Sequence, residues 1–309
     1  MKTKKLPYIF AIIFVTSLVN VTAYALLDAF VLSSAVVVVN EKDTVCEYNP
    51  DVPLVKDIIA TDHTYTSSAT ATTVYKQISI ETGTINGATY YIVDIKISHP
   101  SFFKTAFAKD TYGKNIVQYT STIAKKHNAI VAINGDYYGY RNTGLVIRNG
   151  LLYRDNPRTG VDDKALVMDK NGDLKIIVEG EISGQTLIDQ GVLHAWSFGP
   201  VLVENGVKQD TSKQNWVSDT DNPRVGVGQI GPLHYLFIVV DGRSSISKGV
   251  TLVELAQLFV DHNAKLAYNL DGGGSATLFF NNVVYNKPTY DGTGVYQRGV
   301  SDILYIIGD

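Results

Sequence analysis

The sequence predicts an α+β fold in which strands outnumber helices. A single domain is built from two related strand–helix–strand–hairpin halves, preceded by an N-terminal transmembrane helix. Three observations carry this. His127-Asn128-Ala129-Ile130-Val131-Ala132-Ile133-Asn134-Gly135-Asp136 aligns without gaps on His262-Asn263-Ala264-Lys265-Leu266-Ala267-Tyr268-Asn269-Leu270-Asp271, and His, Asn, Ala, Ala, Asn and Asp coincide. Each copy has the pattern of a helix end running into a short buried strand that exits on a carboxylate. Beyond the acidic turns, Asn149-Gly150, Asn205-Gly206 and Asn281-Asn282 each separate two alternating apolar runs, and Asn-Gly marks a hairpin because both turn residues accept positive φ.

The chain begins with Lys2, Lys4 and Lys5, followed by an almost uncharged run from Leu6 to Leu27 and a second apolar patch ending at Val36–Val39. A run of roughly 20 apolar residues spans a bilayer, and basic residues ahead of it hold that end in the cytoplasm. Residues 1–39 therefore read as a cytoplasmic tip and signal anchor at the cell membrane, single-pass, with the main body extracellular. Ala23-Tyr24-Ala25 supports the competing reading of a cleaved leader. The single Cys46 offers no intramolecular disulfide, as in exported bacterial chains. Residues 40–73, with Asn49-Pro50, Pro53 and the Thr/Ser/Ala-rich Thr64–Thr73, read as a stalk that buries little apolar surface. The globular domain is set at 74–309.

Lys76–Ile80 and Thr89–Ile97 read as strands with a turn at Asn86-Gly87. Ile116, Tyr119/Thr120, Ile123 and His127 recur at helical spacing and predict a helix over 113–128, before the Ala129–Ile133 strand. Asp169-Lys170-Asn171-Gly172-Asp173 resembles a calcium loop, but it lacks the closing glutamate and is flanked by strands, so it reads as a hairpin turn. In the second copy Leu233–Val240 is a strand, Thr251–His262 a helix and Lys265–Leu270 a strand. Thr251 followed by Glu254 fits a capping box, which gives Glu254 a structural role. The two halves are expected to bring Asp136 and Asp271 toward one cleft.

The formal net charge of -3 implies no polybasic surface, and nucleic acid is excluded as a partner. Four polar clusters sit where predicted strands end: Asn134/Asp136, Asn222-Pro223-Arg224, Asp241-Gly242-Arg243, and Asn269/Asp271 with Ser275 and Thr277. The run Gly272-Gly273-Gly274 permits close backbone approach, either as an anion cradle or as a simple chain reversal. It has neither the lysine of a phosphate-binding P-loop nor the second glycine of a nucleophile elbow. Arginine's planar fork suits phosphate or carboxylate, so Arg224 and Arg243 beside these carboxylates point to an anionic substrate and acid–base chemistry. The structural alternative pairs both arginines with the aspartates in a buried network. His127 and His262 fall at helix C-termini, and His194 reads as a packed histidine. No zinc-ligand spacing is present.

In order along the chain, Ala132–Tyr138, Ser197-Phe198-Gly199-Pro200, Asn222-Pro223-Arg224, Asp241-Gly242-Arg243, the Gly249–Leu258 helix start, Leu270–Thr277 and Arg298 resemble the phosphodiester glycosidase domain family. The resemblance covers roughly Val74 to Gly308. It implies hydrolysis of a sugar-1-phosphodiester in a cell-surface glycan or glycopolymer, linked in bacteria to exopolysaccharide or wall metabolism, with release of the sugar and a phosphomonoester. Two positions depart from the family pattern: Val225-Gly226 stand where Thr-Ala is common, and Asp136-Tyr137-Tyr138 where Gly-Phe-Phe is common. With that activity, Asp271, Asp241 and Asp136 are the catalytic candidates, the first two as nucleophile or base. Asn134, Arg224, Arg243, Asn269, Gly272, Gly273, Gly274, Ser275, Thr277 and Arg298 are the substrate-binding candidates. Two alternatives stand beside it. One is a non-catalytic, membrane-anchored glycan-binding protein of exopolysaccharide assembly; the other is a phosphodiesterase that uses a divalent metal to cleave P–O.

Overall fold

The computed structural model describes residues 6–32, 34–38, 59–61, 64–68, 75–160, 163–211, 219–289 and 291–308. The echoed strands became the centres of two different sheets. Ala129–Asn134 lies in a five-stranded sheet between Leu278–Phe280 and Asp302–Ile307, with Val283–Val284 and Phe103–Phe107 at its edges. Leu266–Leu270 lies in a nine-stranded sheet between Val201–Glu204 and Arg224–Gly231, which continues through His234–Val240, Ala88–Ile97 and Tyr75–Ile85.

Period-two alternation sends each central strand's side chains to two different layers. Val131 and Ile133 meet Tyr268 and Leu270 in the shared core between the sheets, with Phe103, Trp196, Val225 and Phe237. Ala132 faces outward under the Thr120–Lys126 helix with Ile123 and Ala124. Ala267 faces outward under the Leu252–Asp261 helix with Leu255 and Phe259. The result is a helix, two facing sheets, and a helix. A second five-stranded sheet, ordered Leu151–Asn156, Gly144–Arg148, Val192–Trp196, Lys164–Asp169 and Leu174–Val178, closes one flank of the shared core.

The two halves interlock. The hairpin that follows the second central strand pairs with the first one (Leu278↔Ile133), and the Val201–Glu204/Val207–Lys208 hairpin, which lies between the two central strands in sequence, pairs with the second (Val201↔Tyr268). Neither half has a complete sheet without the other. The turns at Asn86-Gly87, Asn149-Gly150, Asn205-Gly206 and Asn281-Asn282 all have positive φ at both residues or lie in that region at their asparagine. At the calcium-like turn, Asp169 Oδ1 accepts from the amides of Asn171 (2.8 Å) and Asp173 (3.1 Å) and closes a hairpin.

Three segments differ from expectation. The predicted 113–128 helix is confined to Thr120–Lys126. Thr111–Lys114 is a strand, Asn115 takes φ 54°, and Gln118 exchanges two backbone hydrogen bonds with Val300, so the helical spacing of Ile116 comes from packing of an extended segment. The N-terminal helix Leu6–Phe30 ends before the second apolar patch, where Ser34–Val38 pairs with Thr111–Lys114 instead. Strands Ile59–Thr61 and Thr64–Ser68 extend the large sheet beyond Tyr75–Ile85, inside the span read as a stalk. The rest of that span, residues 40–58, 62, 63 and 69–73, and the basic tip lie outside the described residues.

The capping box is formed as expected: Thr251 Oγ1 accepts from the Glu254 amide at 3.2 Å, and Glu254 Oε2 accepts from the Thr251 amide at 2.9 Å. Replacing an N-cap threonine with alanine costs about 1 kcal/mol. Thr251→Ala should lower the urea-unfolding free energy by about that amount, and an unchanged midpoint would show that the cap does not bear on stability.

Candidate active site

The ends of the two central strands are bonded to each other. Asn134 Nδ2 donates to the Asp271 carbonyl at 2.6 Å, and the Asp271 amide donates to the Gly135 carbonyl at 3.3 Å. Asn269 plays the corresponding part on its own side, donating from Nδ2 to the Gly199 carbonyl at 2.7 Å. Asn134 Oδ1 likewise accepts from the Thr277 amide at 3.1 Å. The repeated asparagine thus joins each central strand to the loop ahead of its neighbouring hairpin strand.

A cavity of about 280 Å³ opens at this junction, lined by Phe198, Gly199, Pro200, Asn222, Arg224, Arg243, Leu252, Asn269, Leu270, Asp271, Gly272, Gly273 and Arg298. Asp271 is the carboxylate on its wall. Arg298 holds it: Nη2 donates to Asp271 Oδ2 at 3.0 Å and to Ser275 Oγ at 2.7 Å, while Nε reaches Ser275 Oγ at 3.0 Å. Burial raises the Asp271 carboxyl above the usual carboxylate range, and the charge of Arg298 opposes the rise.

The facing wall is cationic. Arg224 begins its strand instead of following one, and is buried there with Nε on the Val250 carbonyl (3.1 Å) and Nη2 on the Thr220 carbonyl (2.9 Å). Its pKa is pushed down to about 10 by burial, with the Arg243 charge adding and Asp221 opposing. The Arg243 charge that disfavours the Arg224 guanidinium is one that a bound anion would offset. Arg243 is steered by Asn222, whose Oδ1 accepts from Nη2 at 3.2 Å.

The glycine run permits close approach, and the amide at its middle is already engaged. Gly273's amide is already bonded to the Pro223 carbonyl (2.9 Å), and Ser275's to the Gly272 carbonyl (3.1 Å). A Cβ on Gly272 would lie 2.6 Å from the Pro223 oxygen. Gly273 has φ +57°, and a Cβ there would lie 3.0 Å from Arg243 Nη2. The absent side chains let the arginine wall lie directly against the Asp271 turn.

Several candidates lie elsewhere. Asp136 does not reach the cavity: its carboxylate is fully buried, taken up by Arg148 Nη2 (3.1 Å) and the amides of Ser197 (3.1 Å) and Tyr138 (3.2 Å). Asp241 is also buried, accepting from Asn286 Nδ2 (2.9 Å), Tyr91 Oη (3.0 Å) and the Lys287 amide. Burial raises its pKa while those hydrogen bonds oppose. Both carboxylates anchor loops. Asn134, Gly274, Ser275 and Thr277 are buried behind the cavity wall and support it. Thus Asp136 and Asp271 leave adjacent strand ends, yet only Asp271 faces the cleft. Residues missed as site-forming are Phe198, Gly199, Pro200, Asn222, Leu252 and Leu270; all fall in the motif tracts Ser197–Pro200, Asn222–Arg224, Gly249–Leu258 and Leu270–Thr277, but nothing in the sequence marks Leu252 or Leu270 as lining a cavity. His194 is fully buried against Trp196 and pushed down to about 3 by burial, a packed neutral ring. Among the described residues no three His, Cys, Asp or Glu side chains converge as a metal-binding group.

Behind the turn, Arg148 Nε donates to Asp302 Oδ2 at 2.8 Å. Burial, with Asp136 and Asp271 nearby, pushes the Asp302 carboxyl up to about 7 despite Arg148.

The scaffold thus presents, at the junction of its two halves, a cavity with Arg224 and Arg243 on its wall and one partly buried carboxylate, Asp271. The phosphodiester glycosidase profile matches residues 127–307, more than half of the sequence, and the chain belongs to that family. It is 32% identical over 191 residues to the SPbeta prophage-derived uncharacterized protein YomE of Bacillus subtilis (strain 168), a match covering 60% of this chain. The chain spans only 29% of that relative's length. Its fold is similar to the catalytic domain of zebrafish N-acetylglucosamine-1-phosphodiester alpha-N-acetylglucosaminidase, solved auto-inhibited by its pro-peptide. That likeness has TM-score 0.61 at 18% identity and covers 88% of this chain and 100% of that one. A Burkholderia pseudomallei K96243 protein is similar at TM-score 0.50 and 14% identity, over 72% of this chain and 74% of that one.

Two measurements follow from this geometry. Gly273→Ala places a Cβ at positive φ and against Arg243, so it should destabilise by about 1–2 kcal/mol and weaken phosphate binding; unchanged stability and binding would remove the packing role. For Asp302, a folded pKa of about 7 against an ordinary 3.8 means that the folded chain keeps a proton the unfolded chain has lost. Stability from this group is therefore full below about pH 4 and falls as pH rises toward about 7. Asp302→Asn should flatten that fall in urea unfolding followed from pH 4 to 7.5, and an unaltered pH dependence would contradict it.

Proposed function

We propose that the chain hydrolyses a sugar-1-phosphodiester of a cell-surface glycan or glycopolymer, releasing the sugar and leaving a phosphomonoester. The observation that carries this reading is the pairing across one cavity of Asp271, held by Arg298, with the Arg224/Arg243 wall. Glycosidases that expel an alcohol use two carboxyl groups, one to protonate the leaving oxygen. Phosphate departs without a strong acid when its charge is matched, and Asp271 is the carboxylate that lines this cavity.

Arg224 and Arg243 bind the phosphate oxygens and stabilise the charge that grows as the anomeric C–O bond breaks. Asp271 acts as general base. It takes a proton from a water whose oxygen bonds to the anomeric carbon, and the electron pair of the broken bond leaves with the phosphomonoester. A carboxyl raised by burial is better suited to accept that proton than an exposed one. Arg298 and Ser275 hold the carboxylate in place.

The zebrafish enzyme's name describes a glycosidase acting on a sugar-1-phosphodiester, and the shared family supports the same reaction class here. The Leu6–Phe30 helix is apolar and long enough to cross a bilayer over Phe10–Asp28. With the basic tip inside, it would hold the domain outside the cell, where such glycans lie.

Asp271→Asn should lower sugar release from a synthetic glycosyl phosphodiester by about 100-fold or more with the fold intact. Arg243→Gln should mainly raise KM. Full activity in Asp271→Asn would overturn the assignment, and saturable binding without release in the wild type would favour a glycan-binding module.

A further inference from the structure

A second cavity, of about 160 Å³, lies beside the first and is lined by Lys114, Arg141 and Arg154 together with Tyr112, Tyr138 and Asn142. Among the described residues no carboxylate lines it. Arg154 is fixed by its own backbone contacts, with Nε on the Gly144 carbonyl (2.8 Å) and Nη1 on the carbonyls of Tyr138 (3.1 Å) and Arg141 (2.6 Å). Its Nη2, and Nε of Arg141, are shielded from solvent with no hydrogen-bond partner among the described residues. Burial lowers the Arg154 pKa; Tyr112 and Asp136 oppose that, while Arg141 and Arg148 add to it. Asp136 is committed to Arg148, and among the described residues the carboxylate that Lys114 meets is the half-exposed Asp28, at 3.5 Å. Three cations thus converge on a pocket whose negative charge is spent elsewhere or left in solvent.

Arg141 separates the two cavities. It lines the second, and its guanidinium lies 5.7 Å from the ring of Phe198, which lines the first. Next to it, Tyr137 and Tyr140 stack at 4.8 Å and remain partly exposed. A chain leaving the first cavity over Phe198 therefore meets an aromatic platform and then a second cationic pocket. We propose that this pocket is a second anion site that takes a neighbouring phosphate of the same substrate, so that the preferred substrate is a chain carrying at least two phosphate links. The inference rests on the glycosidase reading for the word substrate, but the site itself does not.

The test uses the full chain in detergent micelles. Calorimetric titration with inorganic phosphate should show two sites in the wild type, one in Lys114→Gln/Arg154→Lys, and one in Arg243→Gln. Lys114→Gln alone, which removes a half-exposed ion pair, should weaken the second site and guards against loss of fold in the double variant. This readout needs no turnover, so it stands apart from any failure of the glycosidase reading. A single site in the wild type, or two sites surviving in the folded double variant, would overturn the proposal. With synthetic substrates, Lys114→Gln and Lys114→Gln/Arg154→Lys should raise KM about 10-fold for a two-phosphate chain and leave the one-phosphate diester unchanged, with kcat constant. Equal effects on both substrates, or a phosphate site whose loss leaves both KM values unmoved, would overturn the substrate role.

Discussion

The structure depends on one buried charge. Arg148, fully shielded, joins Asp136 at the exit of the first central strand to Asp302 at the start of its neighbour, and also donates to the carbonyls of Ile147 and Ala195. Burial disfavours its charge, and the two carboxylates outweigh that and hold its pKa above the ordinary value. Through Asp136 the same network fixes the amides of Tyr138 and Ser197, and so the loop that continues into Phe198, Gly199 and Pro200 on the cavity wall. Removing one member of a buried ionic set leaves the others uncompensated and costs about 3–5 kcal/mol. Of the three catalytic candidates, Asp136 is committed to this framework and Asp241 to Asn286, Tyr91 and the Lys287 amide, so Asp271 alone among them lines the cavity.

The duplicated halves explain why a site forms where it does. Each half lends a hairpin to the other's sheet, so the ends of the two central strands are pressed together and cross-bonded by Asn134 and Asp271. Divergence then assigns different tasks to equivalent positions. Asp136 turns inward to Arg148, while Asp271 turns to the cavity and meets Arg298 from near the C-terminal end of the domain. The missing side chains of Gly272 and Gly273 allow Pro223 and Arg243 to approach that turn, a packing function that also sets the distance between the anion wall and the carboxylate.

Local features were legible in the sequence because their causes are local. The capping box at Thr251, the asparagine hairpin turns and the alternation of the central strands each follow from a few neighbouring residues. The echo of Asn134–Asp136 and Asn269–Asp271 correctly indicated a junction of two halves. What the sequence did not show was partner choice at long range. Nothing near Asp136 or Asp241 says that Arg148 or Asn286 will claim them, and the spacing of Ile116 mimicked a helix because buried positions in an extended segment can share that period. Phe198 and Leu252 reach the cavity only through the tertiary path of their loops, and the helix at Leu6–Phe30 ends where the next apolar patch finds a strand to pair with.

In the proposed reaction the bond breaks at the anomeric carbon, with the Arg224/Arg243 wall taking phosphate as the leaving group and Asp271 preparing the water. Hydrolysis of a synthetic glycosyl phosphodiester in oxygen-18 water, with both products analysed by mass spectrometry, tests it most directly. Label is expected in the released sugar and none in the phosphomonoester. Label in the phosphate would mean P–O cleavage and would contradict it.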